Sequence, residues 1–87
     1  MTKNEIYNLF FIVCDGVFVL EPISDCNTYQ MGLIKLDYNE KENILTVYVR
    51  RPGLLIGKAG LNYSKIKEYL ECDIHIEEVK EIDMGVY

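Results

Sequence analysis

A strict alternation of apolar and polar residues marks the middle of the chain. Between residues 43 and 50, Leu45, Val47 and Val49 occupy every second position, with more polar residues between them. This period of two is typical of a strand that buries one face. A second β-rich run covers residues 30–38, and the polar NEKEN sequence that joins the two runs predicts a hairpin loop.

Helical spacing dominates the N-terminal part of the chain. Apolar residues recur every three or four positions over residues 3–13, and Thr2 followed by Glu5 matches a capping box, so we predict a helix there. Residues 17–20 form a short β-type run. Residues 22–28 show no clear period, and their polar side chains are typical of turns and helix caps.

The second half of the chain predicts two helices and a last strand. Pro52 suits the first turn of a helix that can extend only to Ile56, because Gly57 follows. A longer helix begins after Gly60. Its apolar stripe consists of Tyr63, Ile66 and Leu70. Residues 73–79 alternate again between apolar and polar positions, which predicts a strand.

This order of elements predicts an α+β fold. A connection that passes through helices normally joins parallel neighbouring strands, so the last strand should lie parallel to residues 43–50. The hairpin pairs the first strand with the same central strand. We therefore expect a three-stranded mixed sheet with residues 43–50 in its centre and the helices packed on one face.

The distribution of charge narrows the possible functions. The 87-residue chain has a formal net charge of -5, yet residues 50–67 contain five of the nine Lys and Arg residues and none of the 14 Asp and Glu residues. An acidic body discourages indiscriminate binding of nucleic acid, whereas one basic patch can still attract a polyanion locally. The alternative is a chance clustering of cations on a solvated helix face.

The cysteines and the single histidine do not indicate a metal site or a catalytic centre. Cys14, Cys26 and Cys72 are odd in number and far apart, which argues against a disulfide framework and a zinc site and favours buried thiols in a reducing cytoplasm. His75 lies in an alternating stretch typical of a surface strand residue. Without a nucleophile–base pair, we expect no enzymatic activity, no metal and no cofactor.

The N-terminal segment is apolar, but its pattern does not predict a membrane anchor. Its uninterrupted apolar run, residues 9–14, is too short for a membrane span or a signal peptide, so we expect a cytoplasmic protein. The longer apolar stretch, residues 9–20, offers more hydrophobic side chains than one short helix needs. We expect it to cover the open face of the sheet, or else to form a homodimer or partner interface.

A Gly-Lys-Ala-Gly turn, residues 57–60, lies within the basic segment. Glycine lets a backbone approach a ligand without a Cβ in the way, and the free N–H groups of the following helix suit a phosphate. Lys58 adds a mobile cation. Leu55 and Ile56 beside the turn offer an apolar wall for bases. A bare Gly-x-x-Gly is a weak signal, but its position between a one-turn helix and an amphipathic helix makes it specific.

The segment VYVRRPGLLIGKAGLNYSKIKEYL resembles the type II K-homology (KH) domain, in particular the N-terminal KH domain of the third small-subunit ribosomal protein. The likeness extends over about residues 30–80. It implies that about four single-stranded nucleotides bind in a groove while the loop clamps their backbone.

The resemblance also implies roles for individual residues. The loop residues that would hold phosphates are Gly57, Lys58, Ala59 and Gly60. Ile56, with Ile66 from the next helix, would line the floor on which bases rest. Charge and proximity, not the motif, add Arg50, Arg51 and Lys65.

Some features depart from the KH pattern. Tyr63 stands where the family usually has an aliphatic residue, and the usual helix before the first strand is not evident in residues 22–28, so the helix at 3–13 is expected to replace it. We expect an N-terminal extension over residues 1–28 and a stand-alone type II KH domain over 29–87, without the ribosomal protein's C-terminal domain.

The expected function is binding of single-stranded RNA, with single-stranded DNA as the alternative ligand. The alternative is a KH-like module that docks a protein partner or serves a structural role in an assembly without binding nucleic acid.

Overall fold

The fold consists of helices packed on a small sheet. The structure is a computed structural model that describes residues 1–15 and 27–80. In chain order, the elements are α1 (Lys3–Asp15), α2 (Thr28–Met31), β1 (Leu33–Asn39), β2 (Ile44–Val49), α3 (Pro52–Ile56), a 3₁₀ turn (Lys58–Gly60), α4 (Leu61–Leu70) and β3 (Asp73–Glu78).

The sheet has the predicted mixed topology. The strand order is β1-β2-β3, so β2 is central, antiparallel to β1 and parallel to β3. In this register Leu45 pairs with Tyr38 on one side and with Ile74 on the other. The coarse prediction is therefore confirmed: an α+β fold in which the crossover through α3 and α4 joins two parallel strands.

The core lies on one face of the sheet. Leu45, Val47 and Val49 are fully buried, as their alternation predicts, whereas Thr46 and Tyr48 on the opposite face stay partly exposed. The buried row of β2 belongs to one cluster with side chains from the helices. The helical members of that cluster are Ile6, Phe10, Val13, Cys14, Met31, Leu55, Ile66 and Leu70.

Helix α1 forms where its pattern predicts. The Thr2 hydroxyl accepts a hydrogen bond from the Glu5 N–H at 3.2 Å, and a Glu5 carboxylate oxygen accepts one from the Thr2 N–H at 3.0 Å, which completes the capping box. These bonds favour the ionised carboxylate, so the pKa of Glu5 lies below its ordinary value. The apolar stripe of α1 packs against α4 and β1 in the core.

The expectation for the apolar stretch at residues 9–20 is tested only over residues 9–15, because residues 16–20 lie outside the described residues. The described part of the apolar N-terminal segment, in α1, joins the helix-covered core and does not cover the opposite face of the sheet. The predicted β-type run at residues 17–20 lies outside the described residues.

The predicted strand over residues 30–38 is wrong at its start. Residues Thr28–Met31 form a one-turn helix, and β1 begins only at Leu33. The Asn27 side chain accepts from the Gln30 N–H at 2.8 Å, and the Gln30 side chain accepts from the Asn27 N–H at 3.0 Å. This reciprocal cap favours a helical turn, and Gly32, with a φ of 70°, ends it in the left-handed conformation.

The described cysteines lie in the core. Cys14 and Cys72 are both buried, as expected, and burial raises the pKa of the Cys72 thiol above its ordinary value. Cys26 lies outside the described residues.

Within residues 1–15 and 27–80, no helix combines the length and the apolar character needed to cross a bilayer.

The central position of β2 predicts a sharp difference between neighbouring substitutions. Leu45→Ala should lower the free energy of unfolding by about 2–5 kcal/mol, because it leaves a cavity in the core. Thr46→Ala, on the open face, should cost less than about 1 kcal/mol. Urea unfolding of both variants measures these values. Equal losses would contradict the assignment of the two faces.

Candidate functional site

The Gly-Lys-Ala-Gly turn is a tight backbone feature. Gly57 ends α3 with a φ of 78° and a ψ of 176°, a conformation essentially restricted to glycine. Ala59 and Gly60 also have positive φ values, 55° and 74°. The Gly57 N–H donates to the Gly53 carbonyl at 2.9 Å, and the Gly60 N–H donates to the Gly57 carbonyl at 3.1 Å. These bonds hold the turn in one compact shape.

A buried asparagine packs against this turn on the side that faces the core. Asn62 is only 2% exposed, and its side-chain amide donates to the Leu54 carbonyl at 3.2 Å. A Cβ added at Gly57 would lie 2.8 Å from Cγ of Asn62, which is closer than such atoms can approach. Glycine is therefore required at position 57 for steric reasons as well as for its backbone angles.

Sequence reasoning missed Asn62, although a signal was present. Residues 62, 66 and 70 share one face of a helix because they are four positions apart. Ile66 and Leu70 belong to the predicted apolar stripe, so a polar residue on the same face indicates a buried hydrogen bond.

The tip of the turn is open to solvent and positively charged. Lys58 and Ala59 are both exposed, and within the described residues Lys58 forms no ion pair. Gly60 is the N-cap of α4 and provides no side-chain acceptor for the N–H groups of the first turn. These groups lie at the positive end of the helix dipole. The turn therefore presents several features that attract an anion.

The apolar surface beside the turn differs from the expected one. Ile56 is exposed, as predicted, and its exposed neighbours are Leu54 and Leu61. Leu55 and Ile66 are 2% and 1% exposed and belong to the core. The prediction that Leu55 forms a wall is therefore wrong, and Ile66 supports the site from within the core instead of forming an exposed floor.

The basic residues divide into separate groups. Lys65 is exposed on α4, in the helix that begins at the turn. Lys67 pairs with Asp73, with 3.4 Å between the ammonium nitrogen and a carboxylate oxygen. Because both side chains are largely solvated, this pair contributes little to stability. It does reduce the positive charge that residues 50–67 offer to a ligand.

Arg50 and Arg51 lie at the other end of α3 from the turn. Their backbone N–H groups donate to the Gly32 and Met31 carbonyls, each at 3.0 Å. The Arg51 guanidinium also donates to the Gln30 carbonyl at 3.2 Å. Lys58 therefore lies in the turn, whereas the two arginines lie away from it.

Comparisons with known proteins provide no relative: no family model, no curated protein and no solved structure matches this chain. The fold and the site define an α+β domain with a three-stranded mixed sheet and a solvent-exposed Gly-x-x-Gly turn before α4.

Three glycine substitutions test the geometry of the turn. Gly57→Ala should destabilise the protein by at least about 2 kcal/mol, because a backbone penalty adds to the clash with Asn62. Gly60→Ala meets no neighbour within 4 Å, so it should cost only about 1 kcal/mol for its positive φ.

Gly53→Ala is the matched control. Gly53 lies in α3 with open space around it, so alanine should be neutral or should stabilise by up to about 1 kcal/mol. Thermal unfolding of the three variants gives the order of stability. If Gly57→Ala were as stable as Gly53→Ala, the packing of Asn62 against the turn would be refuted.

Proposed function

We propose that this chain binds single-stranded nucleic acid, with RNA as the expected ligand, through residues 57–60 and the apolar side chains beside them. One observation carries the proposal: a compact turn exposes Lys58 close to the N-terminus of α4, which has no side-chain cap. The proposal assigns backbone phosphates to Gly57, Lys58, Ala59 and Gly60.

Phosphate is the ligand class that suits the turn. Backbone N–H groups at a helix N-terminus, a mobile cation and a backbone without bulky side chains are the features that such groups use. Ala59 has only a methyl group, and Gly60 has open space around its Cα. A phosphodiester can therefore approach the backbone of the turn closely.

The apolar surroundings favour single strands over duplexes. Ile56, Leu54 and Leu61 are exposed near the turn, and they can contact the faces of unpaired bases. A duplex keeps its bases stacked inside and offers mainly phosphates to such a surface. The net charge of -5 works against a purely electrostatic association with duplexes.

The proposed family is the type II KH domain. The observed order of helices and strands, with β2 central and parallel to β3, is compatible with a type II KH domain. The one-turn helix α2 lies directly before β1, where the KH pattern has a helix, and it supports the proposal further. The expectation that α1 replaces that helix is therefore wrong. We propose a binding role without catalysis or cofactor, in the cytoplasm.

A second candidate function is docking of a protein partner. Between α1 and β1 lies a largely apolar depression of about 540 Å³ whose lining includes the exposed side chains of Phe11, Tyr29 and Ile34. Exposed apolar side chains grouped in this way are typical of interaction surfaces. This surface is separate from the turn, so the two functions can be tested independently.

Replacing Lys58 and Ala59 together by Asp tests the phosphate contact. The two carboxylates should repel bound phosphates and weaken binding of single-stranded RNA at least about tenfold, or roughly 1.4 kcal/mol. Stability should hardly change, because both positions are exposed and Asp tolerates the positive φ of Ala59 well. Fluorescence anisotropy with a labelled oligonucleotide measures the affinity.

Two control variants separate local from global charge effects. Lys3→Asp with Asn8→Asp makes the same change in formal charge on exposed positions of α1 and should leave the affinity nearly unchanged. Lys58→Gln with Ala59→Asn removes the cation without adding carboxylates and should give an intermediate loss. Equal affinity of wild type and the Lys58→Asp, Ala59→Asp variant would refute the phosphate contact.

Salt dependence distinguishes nucleic-acid binding from docking. A site that neutralises about two to four phosphates should show a slope of about -1.4 to -2.8 in a plot of log affinity against log salt, at about -0.7 per phosphate. Duplex DNA should bind more weakly than single strands. A docking module without nucleic-acid binding would retain no RNA even at low salt, and equal affinity for duplex and single strand would indicate charge attraction alone.

A further inference from the structure

A second basic depression lies at the end of α3 away from the turn. Its volume is about 250 Å³, and its described lining includes Tyr29, Gly32, Leu33, Ile34, Arg50 and Arg51. No acidic side chain belongs to this described lining, and the two arginines are its only charged residues. Tyr29 is 89% exposed, so nearly all of its ring surface faces solvent.

The arginines are held in place by the ends of β1 and β2. The hydrogen bonds from their backbone N–H groups to Gly32 and Met31 extend the pairing of these strands. A Cβ added at Gly32 would lie 2.8 Å from a guanidinium nitrogen of Arg51 and 2.9 Å from Cβ of Arg50. Both arginines therefore pack closely over this glycine, next to the exposed ring of Tyr29.

The charge of this pair is not neutralised within the described residues. Neither arginine forms an ion pair there, and Nε of Arg50 is covered without a hydrogen-bond acceptor. An acid that approaches this region is Asp15, whose carboxylate accepts from the Thr28 N–H at 2.8 Å and from the Thr28 hydroxyl at 3.1 Å. A guanidinium has several N–H donors, and an anionic oxygen is an acceptor that such charged donors favour.

We propose that this depression is a second nucleotide subsite, at which Tyr29 stacks on a base and Arg50 and Arg51 bind the adjoining phosphate. The inference rests on the proposed function and extends the bound strand beyond the four nucleotides expected at the turn. An aromatic ring beside arginines is a common arrangement for binding single strands. The five residues of α3 span about 7.5 Å, so a few nucleotides can connect the two sites.

A length series of oligonucleotides tests the subsite. Wild type and Tyr29→Ala are titrated with an adenine tetranucleotide and an adenine decanucleotide. Tyr29→Ala should weaken binding of the decanucleotide at least about fivefold, the lower end for a base stacked on an aromatic ring, and should leave the tetranucleotide unchanged. Tyr29→Phe should retain wild-type affinity, because stacking needs only the ring.

Tyr69→Ala is the matched control, since Tyr69 is an exposed tyrosine on α4 outside the lining of the depression. It should bind both oligonucleotides like wild type. Unchanged decanucleotide affinity in Tyr29→Ala would overturn the proposal. An equal loss for both lengths would also overturn it, because the effect would then not be specific to the longer strand.

A titration with adenosine monophosphate separates this proposal from the proposed function of the turn. Saturable shifts of the amide NMR signals of Tyr29, Gly32 and Arg51 would support the subsite even if no oligonucleotide bound through the turn. Such shifts should be absent in Tyr29→Ala. If the mononucleotide shifts none of these signals in wild type, the subsite is refuted, whatever the affinity of the turn for RNA.

Discussion

The pairing of β2 with strands on both sides is the constraint on which the rest of the structure depends. Its row of Leu45, Val47 and Val49 is completely buried, and side chains of α1, α2, α3 and α4 join the same core cluster. A strand held by hydrogen bonds along both edges has little freedom to shift its register. The C-terminal end of β2 therefore fixes where α3 begins, and α3 in turn fixes where the turn lies.

The shape of the turn depends on the local packing between α3 and α4. Asn62 bonds to the Leu54 carbonyl and lies directly against Gly57, so α3 and α4 meet where no Cβ fits between them. This contact fixes the position of Gly57 against α4, while the Lys58 side chain is exposed to solvent. In the proposed phosphate contact, a turn that is already formed would lower the cost of ordering the loop on binding.

For the proposed contacts, the positions of the basic side chains matter more than the net charge of the chain. The chain is acidic as a whole, but α3 has Lys58 beyond one end and the two arginines before the other. Exposed apolar or aromatic side chains accompany each group, Ile56 at the turn and Tyr29 beside the arginines. Both proposed contacts therefore combine phosphate attraction with a surface for bases, which an arrangement of charge alone would not provide.

The sequence by itself determined β2 and α4 through their local periodicity, and α3 and the turn with its exposed lysine through the positions of Pro52, Gly57 and Gly60. These patterns are legible because a half-buried strand or helix must repeat its apolar side chains at a fixed interval. Helix α2 was missed because its reciprocal cap overrides the β-type character of residues 30 and 31.

Only the tertiary structure decided which apolar residues near the turn face solvent and where the arginines lie. Burial of Leu55 and exposure of Leu54 and Ile56 depend on how a five-residue helix is rotated against the sheet and α4, and five residues define no repeating period. Arg50 and Arg51 are close to the turn in sequence, but the intervening helix α3 and their bonds to the end of α2 place them at a separate site.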